Sequence, residues 1–122
     1  MFQDVISEVR KAVDSSRHWA ETGWQVSFGP RAITVCTLRE AEALPRNSVV
    51  RLEAQNYWKQ AQLTGNDAAD WGEKAISALD AGDLKGASDA LYFTQYIEKP
   101  FSDSSKTWLP LYESFVARFH RN

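Results

Sequence analysis

The sequence predicts a mainly α-helical protein of about five amphipathic helices in a compact bundle, with a small β-hairpin after the first helix. Three observations carry that expectation. Apolar residues recur at helical spacing through most of the chain, only one short region alternates with period two, and the stretch from Asn66 to Pro100 reads as a helical hairpin with its own punctuation. In that hairpin Ala81-Gly82-Asp83 separates two amphipathic runs. Gly82 supplies the left-handed conformation that ends one helix, and Asp83 supplies the side-chain acceptor that caps the next.

The first helix is expected from about Asp4 to Glu21. At about 100° per residue, Val5, Val9, Ala12, Val13, Ser16, Trp19 and Ala20 share one side with Ile6 at the margin, while Lys11, Asp14 and His18 lie opposite. Gly23 ends it. Two readings compete between Trp24 and Leu44. Trp24-Gln25-Val26-Ser27-Phe28 alternates, Gly29-Pro30-Arg31 is a turn, and Ala32 to Leu38 is β-branched at Ile33, Thr34, Val35 and Thr37, which favours a hairpin. The alternative is a helix that begins at Pro30 and continues through Arg39-Glu40-Ala41-Glu42-Ala43-Leu44. Pro45 closes the region in both readings.

The second helix starts near Asn47 or Ser48 and ends at Thr64-Gly65, with Val50, Ala54, Tyr57, Trp58 and Ala61 on one face and Leu52 and Leu63 on the other. The third, from about Asp67 to Ala81, puts Ala68, Trp71, Gly72, Ala75, Ile76, Ala78 and Leu79 on one half and Asp70, Glu73, Lys74, Ser77 and Asp80 on the other. Acidic residues in its first turn suit the helix dipole. The fourth runs from Leu84 to Glu98 and is stopped by Pro100, with Leu84, Ala87, Ala90, Leu91, Phe93 and Ile97 turned inward. A polar loop, Phe101-Ser102-Asp103-Ser104-Ser105, leads to a last helix beginning near Thr107. Its stripe is Trp108, Leu111, Tyr112, Phe115, Val116 and Phe119, and Pro110 is tolerated in its first turn. Large aromatic groups dominate core burial, so Trp19, Trp58, Trp71 and Trp108 are read as packing residues, with Trp71 and Trp108 as anchors of facing helices.

Composition narrows the functional classes. A chain of 122 residues is one domain by size, here 1–122, and its 43% hydrophobic and 25% charged content is that of an ordinary globular protein. The net charge of -2, with Lys and Arg scattered from Arg10 to Arg121, offers no basic patch for nucleic acid. No apolar run is long enough for a signal peptide or a membrane span, and a single cysteine, Cys36, forms no internal disulfide, so a cytoplasmic location is expected.

The chemistry-bearing residues are sparse. Only two histidines occur, and no Glu-x-x-His or His-Glu-x-x-His spacing exists to build a metal centre. His18 lies on the polar face of its helix, and His120 near the chain end. Cys36 sits among β-branched residues without a nearby base and reads as a buried structural thiol. Neither Gly-x-Ser-x-Gly nor a phosphate-binding glycine loop is present. No catalytic activity, cofactor or metal is expected.

The segment Ala81-Gly82-Asp83-Leu84-Lys85-Gly86-Ala87 resembles the helix-turn-helix units of tetratricopeptide arrays and of HEPN-type bundles, over about Trp71 to Pro100. Such arrays need about three stacked repeats, and the chain offers one. Arg118 precedes His120 too closely for the nuclease motif of the HEPN type. No family is assigned.

Surface aromatic residues give the one functional signal. Tyr92 and Tyr96 lie one turn apart and project with Lys85 and Asp89, away from the Leu84/Leu91 face. Paired tyrosines beside charges are typical of protein contacts, unless the hairpin or the last helix packs over them. Leu52 and Leu63 mark a second face that something should cover. The expected function is therefore protein–protein interaction: a small accessory, adaptor or regulatory subunit that binds an unidentified protein or a second copy of itself. Two alternatives stand beside it. One is an immunity or antitoxin inhibitor, which strong local acidity would support. The other is a bundle that binds a small ligand in a pocket lined by tryptophan and tyrosine; Ser16 and Thr94 are the only polar groups inside a core stripe, and both are small enough to satisfy their own helix backbone.

Overall fold

The structure is a computed structural model that describes residues 2–23, 25–99 and 107–119. Among them the order is α1 (Gln3–Thr22), β1 (Val26–Phe28), β2 (Ile33–Val35), α2 (Leu38–Glu42), α3 (Val49–Asp80), α4 (Leu84–Glu98) and α5 (Trp108–Phe119). The mainly helical class with a small hairpin after the first helix stands. The helices are divided differently from expectation, however. Trp24, the 101–105 loop and His120 lie outside the described residues.

The main correction concerns the break expected at Thr64-Gly65. α3 runs without interruption through 32 residues, so the second and third helices of the sequence reading are one. Glycine weakens a helix by about 1 kcal/mol relative to alanine, which is why the pair looked like an end. Here Gly65 is a contact. A Cβ at this position would lie 2.7 Å from the Ala20 Cβ and 2.9 Å from the Ser16 carbonyl oxygen. Seven residues on, a Cβ at Gly72 would meet the Trp108 ring and the Val13 side chain. With Ala61, Ala68 and Ala75, also buried, they make a face of small residues against which α1 and α5 close. Asp67 and Asp70 are therefore not in a first turn. Asp70 instead pairs with Arg17 of α1 at 3.0 Å, and the same guanidinium reaches Glu73 at 3.1 Å.

α1 buries the side the periodicity assigns: Val5, Val9, Ala12, Val13, Ser16, Trp19 and Ala20. It ends at Gly23, whose amide donates to the Trp19 carbonyl. The hairpin follows, antiparallel, with Val26 opposite Val35 and Phe28 opposite Ile33. The alternative helix from Pro30 does not form. The 39–42 run is helical, but only as the short α2 after β2, capped by the Thr37 hydroxyl, which accepts from the Glu40 amide. The Glu40 carboxylate in turn accepts from the Cys36 amide at 2.9 Å, and Cys36 is half-buried rather than buried.

Two hydrophobic clusters result. The smaller joins Trp19, Phe28, Val35, Ala41, Ala54, Trp58 and Ala61, so the hairpin lies on the N-terminal half of α3. The Trp58 indole N–H donates to the Val35 carbonyl at 3.2 Å and fixes β2 there. The larger cluster lies between α1, the C-terminal half of α3, α4 and α5, with Trp108 and Phe115 as its aromatic mass. The α3–α4 turn is as read: Gly82 has φ 73, and the Asp83 carboxylate accepts from the Gly86 amide at 2.9 Å.

Thr94 satisfies its own helix, donating to the Leu91 carbonyl at 2.6 Å. Ser16 does not follow that expectation, because its Oγ accepts from the Trp108 indole N–H at 2.7 Å, across from α5 to α1. Glu98, unremarked in the sequence, is buried at the end of α4, and its two carboxylate oxygens accept from the Thr107 and Trp108 amides at 3.0 and 2.9 Å. It caps the first turn of α5 from another helix.

The far ends of α1 and α5 are tied by Asp4 and Arg118 at 3.1 Å. The hydrogen bond from Arg118, helped by the Val5 amide, holds the Asp4 carboxyl below its ordinary 3.8. A lowered carboxyl stabilises the fold above its unfolded value and loses that contribution as pH falls through the folded one. Arg118→Ala should therefore move the Asp4 titration upward toward its ordinary position, as read by carboxyl NMR.

Two further outcomes test the backbone account. Gly65→Ala should destabilise by about 1–3 kcal/mol through overpacking, although alanine in an unhindered helix would gain about 1 kcal/mol; a raised urea midpoint would show that α1 does not close on this point. At Gly82 a Cβ meets nothing within 4 Å, so only the positive φ is at stake. Gly82→Asn should be tolerated better than Gly82→Val, whose β-branched side chain resists the left-handed region. Equal melting temperatures for the two variants would contradict the turn.

Candidate functional site

The outer face of α4 carries the most unusual surface of the molecule. Its exposed residues are Lys85, Asp89, Tyr92, Phe93 and Tyr96, followed by Lys99 at the C-cap, and they form one stripe opposite the buried Ala87, Ala90, Leu91, Thr94 and Glu98. Tyr92 is 45%, Phe93 41% and Tyr96 60% exposed. Large apolar groups at such exposure are unusual when they adjoin one another. These do: Tyr92 and Tyr96 stack with centroids 6.3 Å apart, and Tyr92 meets Phe93 edge-on at 5.9 Å.

Neighbouring helices extend the surface on both sides. Trp71 of α3 lies against Phe93 at 4.8 Å, with the Lys74 ammonium 3.9 Å above its ring. Tyr112 of α5 meets the Tyr92 ring edge-on at 5.7 Å, and Leu109, one turn earlier, is also exposed. The result is a continuous ridge of five rings: Trp71, Phe93, Tyr92, Tyr96 and Tyr112. The last helix thus touches Tyr92 without covering it.

Two assignments to the core are corrected here. Phe93 points outward with Tyr96, and Trp71 is a half-buried flank of the ridge rather than an anchor facing Trp108. A helical wheel contains the signal for Phe93, which falls within about 60° of Tyr96 and about 110° from the centre of the buried arc. Tyr112 and Leu109 could not be added without knowing that α5 lies beside α4.

Lys85, Asp89, Tyr92 and Tyr96 are brought together on one helix face. Leu52 and Leu63 are not part of it. They are 60% and 64% exposed on the N-terminal half of α3, so the cover expected over them is absent among the described residues. Asn56 and Lys59 interrupt that stripe, and Leu63 lies about 12 Å along the helix axis before Trp71.

A pocket of about 330 Å³ opens elsewhere, between the end of α1, α2 and α3. Trp58, Glu21, Arg39, Glu42 and Gln62 are among the residues that line it. Among the described residues its lining has one tryptophan and no tyrosine, and the Trp58 N–H is already engaged with Val35. Among the described residues there is no group of three or more His, Cys, Asp or Glu side chains able to hold a metal ion, and no helix is long and apolar enough to cross a membrane. His18 is exposed on α1.

Comparison with protein-family models, with curated proteins and with solved structures found no match.

Proposed function

We propose that this chain acts by binding protein through the aromatic ridge of α4, as a small cytoplasmic accessory or regulatory component without catalysis of its own. The exposure of Tyr92 and Tyr96 in a continuous run of rings carries this reading. Tyrosine and tryptophan are enriched in the buried centres of protein interfaces, where a large rigid ring gains contact area at small cost in side-chain entropy. Charges at both ends, Lys85 and Asp89 on one side and Lys99 on the other, provide the polar rim such centres have.

The other readings draw less support. Ligand pockets are mostly apolar with a few convergent polar groups, whereas the lining of the pocket beside Trp58 includes Glu21, Thr37, Arg39, Glu42 and Gln62. An inhibitor that works by acidity would use the outer face of α3, and there Arg10 and Arg17 already pair with Asp70 and Glu73.

The double change Tyr92→Ser with Tyr96→Ser tests the proposal. It removes the ring contact with Tyr112 and should cost only about 1–2 kcal/mol. Thermal melting, sedimentation and recovery of partners from the source cells should show a folded variant with association lost. An unchanged melt with unchanged self-association and unchanged partner recovery would overturn the proposal, and a collapse of the melting temperature would place the rings in the core.

A further inference from the structure

We infer that the occupant of this ridge is a second copy of the chain, with the two α4 helices antiparallel and Asp89 of each copy opposite the partner's Lys99. The inference rests on the reading of the ridge as a protein contact and adds the partner and the register.

The spacing of the exposed stripe is its basis. Asp89, Tyr92, Tyr96 and Lys99 follow one another at intervals of three, four and three, the heptad spacing of helices that pair side by side. At 100° per residue they lie within an arc of about 80°. All four are exposed, and none of the ion pairs among the described residues uses Asp89 or Lys99.

Orientation follows from charge. In a parallel pair Asp89 would meet Asp89 and Lys99 would meet Lys99, both repulsive. In an antiparallel pair centred at the level of Thr94, Tyr92 meets the partner's Tyr96 and Asp89 meets the partner's Lys99. One register satisfies the ring pair and the charge pair together, and two-fold symmetry makes each contact twice. Such a contact is self-complementary and closes at two copies.

Size sets the strength. A fully buried aromatic side chain contributes about 150–250 Å², so at their exposures Tyr92, Phe93 and Tyr96 supply roughly 300 Å² of the about 800 Å² per partner in a standard interface. Trp71, Tyr112 and Leu109 flank the stripe and supply part of the rest. The expected dimer is weak, dissociating in the micromolar range.

Sedimentation of the full chain from roughly 10 to 500 μM tests this. Wild type should pass from monomer to dimer. Asp89→Lys and Lys99→Glu should each weaken self-association by on the order of tenfold, because two attractive pairs become repulsive. An equimolar mixture of the two single variants should recover the wild-type affinity, since both pairs are then opposite in charge, and the double variant should do the same alone. A wild type monomeric throughout, a dimer insensitive to either single reversal, or a mixture that fails to recover would each overturn the inference. If wild type stays monomeric while Tyr92→Ser with Tyr96→Ser abolishes capture of another protein, the ridge remains a protein contact and only the second copy is wrong. A dimer that survives the serine changes would remove both.

Discussion

Three helices meet at the indole of Trp108, and their arrangement depends on how that ring is accommodated. It is fully buried, donates its N–H to Ser16 of α1, and occupies the space that the missing side chain of Gly72 leaves on α3. An indole is apolar in body and polar at one atom, so burying it stabilises the fold only where that N–H is satisfied. The same residue begins α5. Its amide and that of Thr107 are held by the buried carboxylate of Glu98, which fixes where α5 starts relative to the end of α4. Ring and cap act at the same point, so the position of α5 follows from the end of α4 and from the hollow in α3. The glycines of α3 are part of this arrangement. Each costs about 1 kcal/mol of helix propensity, offset by the close approach of α1 and the ring of Trp108.

The sequence makes the one-sided elements legible. α1 carries seven buried residues at helical spacing against a polar opposite face, and all seven are as read, because a helix packed on one side leaves an unambiguous pattern. The hairpin turn at Gly82 and Asp83 is equally local, since a positive φ and a side-chain cap require particular residue types in sequence order. Thr64-Gly65 misleads for the opposite reason. Glycine ends helices and also lets helices touch, and only the presence of Ser16 and Ala20 across the gap distinguishes these roles. Glu98 had a readable signal, a carboxylate in the middle of the apolar arc of α4, but its partners are amides on another helix and no local rule supplies them.

The candidate site divides in the same way. Tyr92, Tyr96, Lys85 and Asp89 share one exposed face of one helix, and helical periodicity is sufficient to place them there. Phe93 belongs to the same helix, whereas Trp71 and Tyr112 come from α3 and α5 and their contribution depends on tertiary neighbours. Trp71 lies near the margin of an apolar arc, where helical angle alone does not decide between core and surface, whereas the angle of Phe93 already sets it beside Tyr96. Leu52 and Leu63 show the limit of inference from exposure expected to be covered, for they remain open and are separated by polar residues.

Rings collect beside the contact of α3 and α4, and they differ in how far the fold itself accounts for them. The cluster that α3 and α4 share with α1 and α5 holds Ala75, Ala87 and Ala90 beside Ile76, Leu79 and Leu91. Trp71 and Phe93, one from each helix, pack on each other at 4.8 Å, so the fold itself accounts for both. Tyr92 is partly accounted for by its edge contact with Tyr112. Tyr96 is not. Its ring contact among the described residues is with Tyr92, and it leaves three-fifths of its surface in water. An exposed aromatic ring that contributes so little to its own fold is the residue on which a contact with another protein would act most directly, and Tyr92 stacked beside it supplies the rigid support that such a contact needs.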